Sequence, residues 1–174
     1  MAKKFTWGVS SIIVDSREQL PYQFLGHPTM KSGLKTGDYS VTGMEHLVCV
    51  ERKSQADYWG CLINTKPKFN RDRFVRELER MKDIPWSKVI IECTRQQALE
   101  GYYYWDGYSN IKSKVRGETA INSANFWSMA HGVRFEWVAD RAEGEAVALE
   151  WLQMALRYQR HRDKEKKGGQ GGGD

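Results

Sequence analysis

Asp38, Glu51 and Lys53 are the residues of this chain whose types and spacing could do chemistry. Asp38 follows Gly37, and the other two lie within Val50-Glu51-Arg52-Lys53-Ser54. Hard divalent cations such as magnesium prefer carboxylate oxygens. Metal-assisted phosphodiester cleavage needs such a cation and a positioned water. If the chain brings the three side chains to one point, this stretch is a metal-dependent nuclease centre.

Two paired β-strands can do so. Side chains alternate along a strand, so Leu47, Cys49, Glu51 and Lys53 share one face, and Val48, Val50 and Arg52 the other. On the partner strand Asp38, Ser40 and Thr42 alternate with Tyr39 and Val41. A register pairing Val41 with Val48 gathers Tyr39, Val41, Val48 and Val50 on one apolar face. It leaves Gly43-Met44-Glu45-His46 as the connecting loop. The same register sets Asp38 directly opposite Glu51, with Cβ atoms roughly 5 Å apart. A slip of one residue would send the two carboxylates to opposite faces. Two carboxylates this close repel each other unless a cation neutralises them, so a metal is the natural resident. Lys53 shares their face, which this pattern leaves accessible. There it can orient the attacking water or stabilise charge developing on the phosphate. The competing account is a solvated strand end or surface ion pair, because a Glu-Arg-Lys tripeptide is common. The Gly-Asp on the paired strand favours the metal site.

The surrounding elements follow from periodicity and punctuation. Residues 9–15 are expected as a first strand, and residues 19–34, with Pro21, Gly26, Pro28 and Gly33, as an irregular loop. Residues 38–42 and 47–53 form the hairpin. Ser54 suits a helix N-cap, with Asp57 completing a capping-box pattern. Asn70 suits a second cap, ahead of an apolar stripe of Phe74, Val75, Leu78 and Met81 that Pro85 ends. Residues 88–93 read as a buried strand, 102–117 as a loop insertion, 119–131 as a helix, 133–138 as a strand and 142–160 as a last helix. The expectation is an α/β domain over residues 1–163, its central mixed β-sheet flanked by helices, with a disordered charged and glycine-rich tail over 164–174.

Composition narrows the class. The chain has 174 residues, 40% of them hydrophobic and 12% aromatic, which is enough for one globular core without disulfide staples. No apolar run reaches membrane-span length, so no membrane partner is expected. Cys49, Cys61 and Cys93 have no metal-ligand or disulfide spacing and are expected as inert buried residues. They fit a reducing, intracellular compartment: cytoplasm or nucleoid for a microbial or phage chain, nucleus for a eukaryotic one. A net charge of +5 permits a polyanionic partner without requiring one.

With Val14-Asp15-Ser16-Arg17-Glu18 added, the chain resembles the nuclease domain of the XPF family of structure-specific DNA endonucleases. That family carries D-x-R-E, then G-D, then E-R-K-x-x-x-D, which here fall on Asp15, Arg17 and Glu18; Gly37 and Asp38; and Glu51, Arg52, Lys53 and Asp57. The segments around Arg73-Phe74, Glu77-Leu78 and Val89-Ile90-Ile91-Glu92 are similar as well. The resemblance implies a restriction-endonuclease-like core of the PD-(D/E)XK class. It implies that Asp38, Glu51 and Asp15 bind magnesium, with manganese able to substitute, and that Glu18 and Lys53 complete the catalytic set. Arg17, Arg52 and Asp57 would support them, although capping after Ser54 already accounts for an acid at Asp57.

The implied partner is DNA, cut at branches or single-strand/double-strand junctions. Relatives often append a helix-hairpin-helix module, which these residues lack, as they lack a P-loop. Substrate choice is therefore expected to rest on this domain, a homodimer, or a separate DNA-binding or helicase partner. Alternatives are a non-catalytic DNA-binding or scaffold subunit, and a Holliday-junction resolvase or exonuclease on the same fold.

Lys66, Lys68, Arg71, Arg73 and Arg76 form a basic segment expected to contact phosphates, or else a solvated face paired as Arg73–Glu77 and Asp72–Arg76. Tyr102-Tyr103-Tyr104-Trp105 with Tyr108, Lys112, Lys114 and Arg116 could stack unpaired bases, or pack into the core. Val147, Trp151, Met154, Ala155 and Tyr158 on the last helix suit a core contact or dimer interface.

Overall fold

The computed structural model of the chain describes residues 5–63 and 69–168. A six-stranded mixed sheet contains β1 (Ile12–Asp15), β2 (Thr29–Ser32), β3 (Tyr39–Val41), β4 (Val48–Ser54), β5 (Trp86–Glu92) and β8 (Arg134–Val138). Between the last two, β6 (Tyr103–Trp105) and β7 (Asn110–Lys112) form a separate hairpin. The order across the large sheet is β2-β1-β3-β4-β5-β8, antiparallel at β1–β3 and β3–β4 and parallel elsewhere. The helices are α1 (Gln55–Leu62), α2 (Phe69–Met81), α3 (Arg95–Glu100), α4 (Gly117–His131) and α5 (Arg141–Gly168).

The central hairpin has the register that its apolar pattern predicts: Tyr39 faces Val50. Tyr39, Val41, Val48 and Val50 are buried with Ile12, Val14 and Ile90 beneath Ala148, Leu152, Ala155 and Leu156 of α5. The opposite face is not open, as alternation alone implied. Cys49, Val89 and Ile91 pack there against Tyr58 and Trp59 of α1, Phe74 and Leu78 of α2, and Ala120, Ala124 and Trp127 of α4. The parallel crossovers from β4 to β5 and from β5 to β8 place helices over that face, so strands in this half of the sheet are covered on both sides.

Other departures have local causes. Residues 29–32, expected in a loop, pair in parallel with β1 as an edge strand whose largely exposed side chains, Met30 among them, give no alternation signal. Helix α3 is announced only by a capping box, in which Thr94 accepts from the Gln97 amide and the Gln97 side chain accepts from Thr94 N–H. Helix α2 already includes Phe69, so Asn70 lies inside it instead of capping it. Helix α5 runs through Gly168, so residues 164–168 are helical and not tail. Lys166 and Lys167 in its last turn suit the negative end of the helix dipole. Residues 169–174 of the expected tail lie outside the described residues. On α5, Met154 and Tyr158 are exposed, while Ala148, Leu152, Ala155 and Leu156 form the buried stripe. All three cysteines are free and buried, and among the described residues no helix is long and apolar enough to cross a membrane.

Candidate active site

The topology brings one end of four strands together: the carboxyl ends of β1, β4 and β5 and the amino end of β3. Asp15, Asp38, Glu51, Lys53 and Glu92 stand at that end. Asp15 N–H donates to the Asp38 carbonyl at 2.8 Å, which fastens the end of β1 to the Gly37-Asp38 turn. Gly37 has φ +75°, and a Cβ there would lie 3.2 Å from both Cys49 Cβ and the Val50 carbonyl oxygen. Both facts require glycine, because another residue would be strained in φ and crowded against β4.

The turn aims Asp38 across the hairpin. Its Oδ2 accepts from Arg52 N–H at 2.7 Å, between Glu51 and Lys53. Glu51 Oε1 accepts from Lys53 Nζ. Only 4% of Glu51 and 7% of Lys53 is exposed, since α2 lies over them with the Phe74 ring centroid 4.9 Å from Lys53 Nζ. Burial, then the charge of Glu51, pushes the Asp38 carboxyl well above the usual carboxylate range, and the Arg52 amide opposes this only in part. Burial also raises Glu51, with Lys53 acting against it and Glu77 with it. Lys53 loses some basicity to burial but gains more from Glu51, so its pKa is raised and it stays protonated.

A cleft of about 600 Å³ opens on these groups, and Asp15, Arg17, Glu18, Asp38, Glu51, Arg52, Lys53 and Asp57 all line it. Their conditions differ. Both Asp15 oxygens are occupied: Oδ1 by Arg17 Nε and Arg17 N–H at 2.8 Å each, Oδ2 by Leu34 N–H at 2.6 Å and Arg17 Nη2 at 3.0 Å. Burial would raise its pKa, yet the Arg17 bond and the two amides together hold it below the ordinary value. Asp15 thus works as an ionised anchor for the loop ends. Glu18 accepts from Leu20 N–H at 2.9 Å and from Arg52 Nη1 at 3.4 Å. Asp57 N–H donates to Ser54 Oγ at 3.1 Å, and Ser54 Oγ donates back to Asp57 Oδ2 at 2.6 Å, so Ser54 caps α1. Asp57, exposed on the rim, holds the capping hydroxyl and not the Ser54 amide of a full capping box.

Asp38 and Glu51 face each other across the hairpin and form the pair placed to share an ion, while Glu18, Asp57 and Glu77 each also keep one oxygen without a protein donor. Asp38 has no ion-pair partner within 4 Å among the described residues, and no protein donor reaches Asp38 Oδ1 or Glu51 Oε2. No group of three or more His, Cys, Asp or Glu side chains among the described residues closes around a metal position. A pair of hard oxygen donors facing open space suits magnesium, which keeps several waters and takes the rest of its ligands from substrate phosphate.

Sequence patterning did not single out Glu77 as a site residue. This α2 carboxylate lines the cleft, accepts from Thr36 Oγ1 at 3.0 Å and Gly37 N–H at 3.2 Å, and pairs with Arg80 at 3.6 Å. Its position beside Leu78 and three residues after Phe74 puts it at the margin of the apolar stripe, the only local sign of partial burial. The Arg73–Glu77 and Asp72–Arg76 pairs do not form, and Arg73 and Arg80 instead line the cleft. Arg71 and Arg76 do not line it, Arg71 lying 6.0 Å from the Trp127 ring. Lys66 and Lys68 lie outside the described residues. Glu77→Ala is expected to cost about 1–3 kcal/mol by stranding the buried Gly37 amide, whereas Glu77→Gln keeps an acceptor and most of that stability. Thermal unfolding of the two variants measures the difference.

A family model described as the ERCC4 domain matches residues 14–147. The chain is similar to the solved structure of XPF from Aeropyrum pernix, with TM-score 0.57 and 18% identity over 90% of this chain and 68% of that one. It is also similar to XPF from Aeropyrum pernix in complex with DNA, with TM-score 0.54 and 18% identity over 86% of this chain and 64% of that one. The chain therefore spans less than two thirds of that second structure. At this identity the likeness is one of fold. No curated protein sequence matches the chain.

Proposed function

The chain belongs to the ERCC4 domain family, and from that premise we propose that it is a metal-dependent endonuclease cutting DNA at branches or single-strand/double-strand junctions. The observation that carries this is the pair of half-buried Asp38 and buried Glu51 lining the cleft, with Lys53 as the adjoining cation. Asp38 and Glu51 would hold magnesium or manganese. The bound ion supplies Lewis-acid polarisation of a phosphoryl oxygen and a more acidic water.

The chain's own residues do the remainder. Lys53 is kept cationic by Glu51, so it stabilises developing negative charge and does not act as a base. Arg52 holds the β4 backbone against Glu18 and Glu92, and its amide fixes the Asp38 carboxylate. Asp15 keeps the β1 end in place. Arg73 and Arg80 at the cleft are suited to phosphate contact, and Arg71 and Arg76 stand on the same helix. A homodimer or a separate DNA-binding subunit would add to what this domain recognises.

The test is cleavage of end-labelled fork, flap, splayed-arm, four-way-junction and linear duplex DNA in magnesium, manganese or EDTA. Cutting near the branch point in either metal, abolished by EDTA, is the expected result. Cutting in EDTA refutes metal dependence. Cutting confined to four-way junctions or chain ends replaces the assignment with a resolvase or an exonuclease, and no cutting of any substrate refutes catalysis.

A further inference from the structure

The β6–β7 hairpin carries aromatic rings that the core does not use. Its register pairs Tyr103 with Lys112 and Trp105 with Asn110, so these four side chains share one face. The other face is the anchor: Tyr104 stacks on Tyr102, whose ring lies 5.8 Å from that of Trp59 in α1. The turn is fixed by Asp106 Oδ1, which accepts from Tyr108 and Ser109 N–H at 2.8 Å each, and by Gly107 at φ +102°. On this ribbon Trp105 is 68% and Tyr108 92% exposed. Such a cluster of exposed aromatics marks an interaction surface more often than an accident.

Charge identifies the occupant. Lys112 Nζ lies 5.3 Å from the Tyr103 ring centroid, and Lys114 and Arg116 follow it, both exposed. Cations flanking open rings match a polyanion with π-faces better than an apolar protein surface. Rings two residues apart on a strand stand roughly 6.7 Å apart. Successive bases of an extended strand can each meet a ring at such spacing, whereas bases inside a duplex offer no free face. The anchor, Trp59, lies two residues beyond Asp57 on α1, so the hairpin packs on the side of that helix away from the cleft rim.

We propose that the Tyr103–Trp105–Lys112 face is a stacking platform for unpaired nucleotides, which holds a single-stranded part of the DNA across α1 from the cleft. This deepens the proposed nuclease function and rests on it only for what happens in the cleft. The test uses the whole chain in EDTA, with fluorescence anisotropy of labelled oligothymidylate and of a blunt duplex of equal length. The wild type is expected to favour the single strand. Trp105→Ala should weaken that binding by about tenfold and the Tyr103→Ala/Trp105→Ala double variant further, with duplex binding little changed. Trp105→Phe should restore it, which separates stacking from loss of the hairpin. Lys112→Gln should flatten the salt dependence. Single-strand binding that is equal in the wild type and the double variant overturns the platform, as does Trp105→Phe binding as weakly as Trp105→Ala. Because no cleavage occurs in EDTA, these results stand apart from the nuclease assignment. An uncleaved junction panel with intact stacking overturns only the nuclease, and cleavage without ring-dependent binding overturns only the platform.

Discussion

Asp38→Asn is expected to remove DNA cleavage almost completely while making the metal-free protein more stable at neutral pH. The first effect follows from taking away one of the two carboxylates paired across the hairpin, each of which has an oxygen open to an ion. Several kcal/mol of charge stabilisation are lost with the ion, on the order of 10³-fold in rate. The second follows from the sign of the pKa shift. Burial and Glu51 raise the Asp38 carboxyl well above its ordinary value. A carboxyl raised on folding stabilises the fold only while protonated, and that contribution is lost as pH rises through the raised pKa. Asparagine never ionises, so the variant escapes the loss. In EDTA the variant should melt above the wild type at pH 7 to 8, and the gap should close toward acid pH, where wild-type Asp38 is also neutral. Magnesium should raise the wild-type melting temperature and leave the variant nearly unmoved. A variant that cuts at the wild-type rate, or that melts lower in EDTA at pH 7, removes Asp38 from the role given to it. Lys53→Ala is the poorer probe of catalysis, since it leaves Glu51 buried without its cation and would confuse activity with folding.

Arg52→Ala is expected to cause the largest loss of stability at the site. Arg52 Nε and Nη2 donate to Glu92 Oε1 and Oε2 at 2.8 and 3.1 Å, and both side chains are only 9% exposed. Glu92 also accepts from Tyr22 Oη at 3.1 Å, and Glu18 shares the guanidinium. Removing the arginine leaves two acids without their principal counter-charge, at a cost of about 3–5 kcal/mol. For a domain of this size that is roughly 10 °C in melting temperature. Arg52→Lys should recover little, because one ammonium cannot reproduce the two-pronged contact. Adding Glu92→Ala to Arg52→Ala should recover part of the loss, and additive losses in that double variant would show that the pair is not coupled. Denaturant unfolding of the four proteins measures each step.

The sequence alone determined whatever depends on near neighbours or on a strict period. Alternation of Tyr39 and Val41 against Val48 and Val50 admitted one hairpin register, because a slip by one residue sends the two apolar pairs to opposite faces, and that register is present. Ser54 with Asp57 placed the start of α1, since a cap satisfies orphan amides within its own first turn. Beyond those, sequence and fold parted where partners are distant along the chain. β2 exists through backbone pairing with β1, to which its side chains give no clue. The face carrying Glu51 and Lys53 read as open because nothing local tells a strand that α2 will cover it. That covering raises Asp38 and Glu51 and brings Glu77 to the Gly37 amide, while on the opposite face Arg52 meets Glu92, 40 residues away. Alternation put Asp38, Glu51 and Lys53 on one face. Desolvation by helices from elsewhere in the chain gave that face the electrostatics of a site that can hold a metal, because a carboxyl's proton affinity depends on what surrounds it in space.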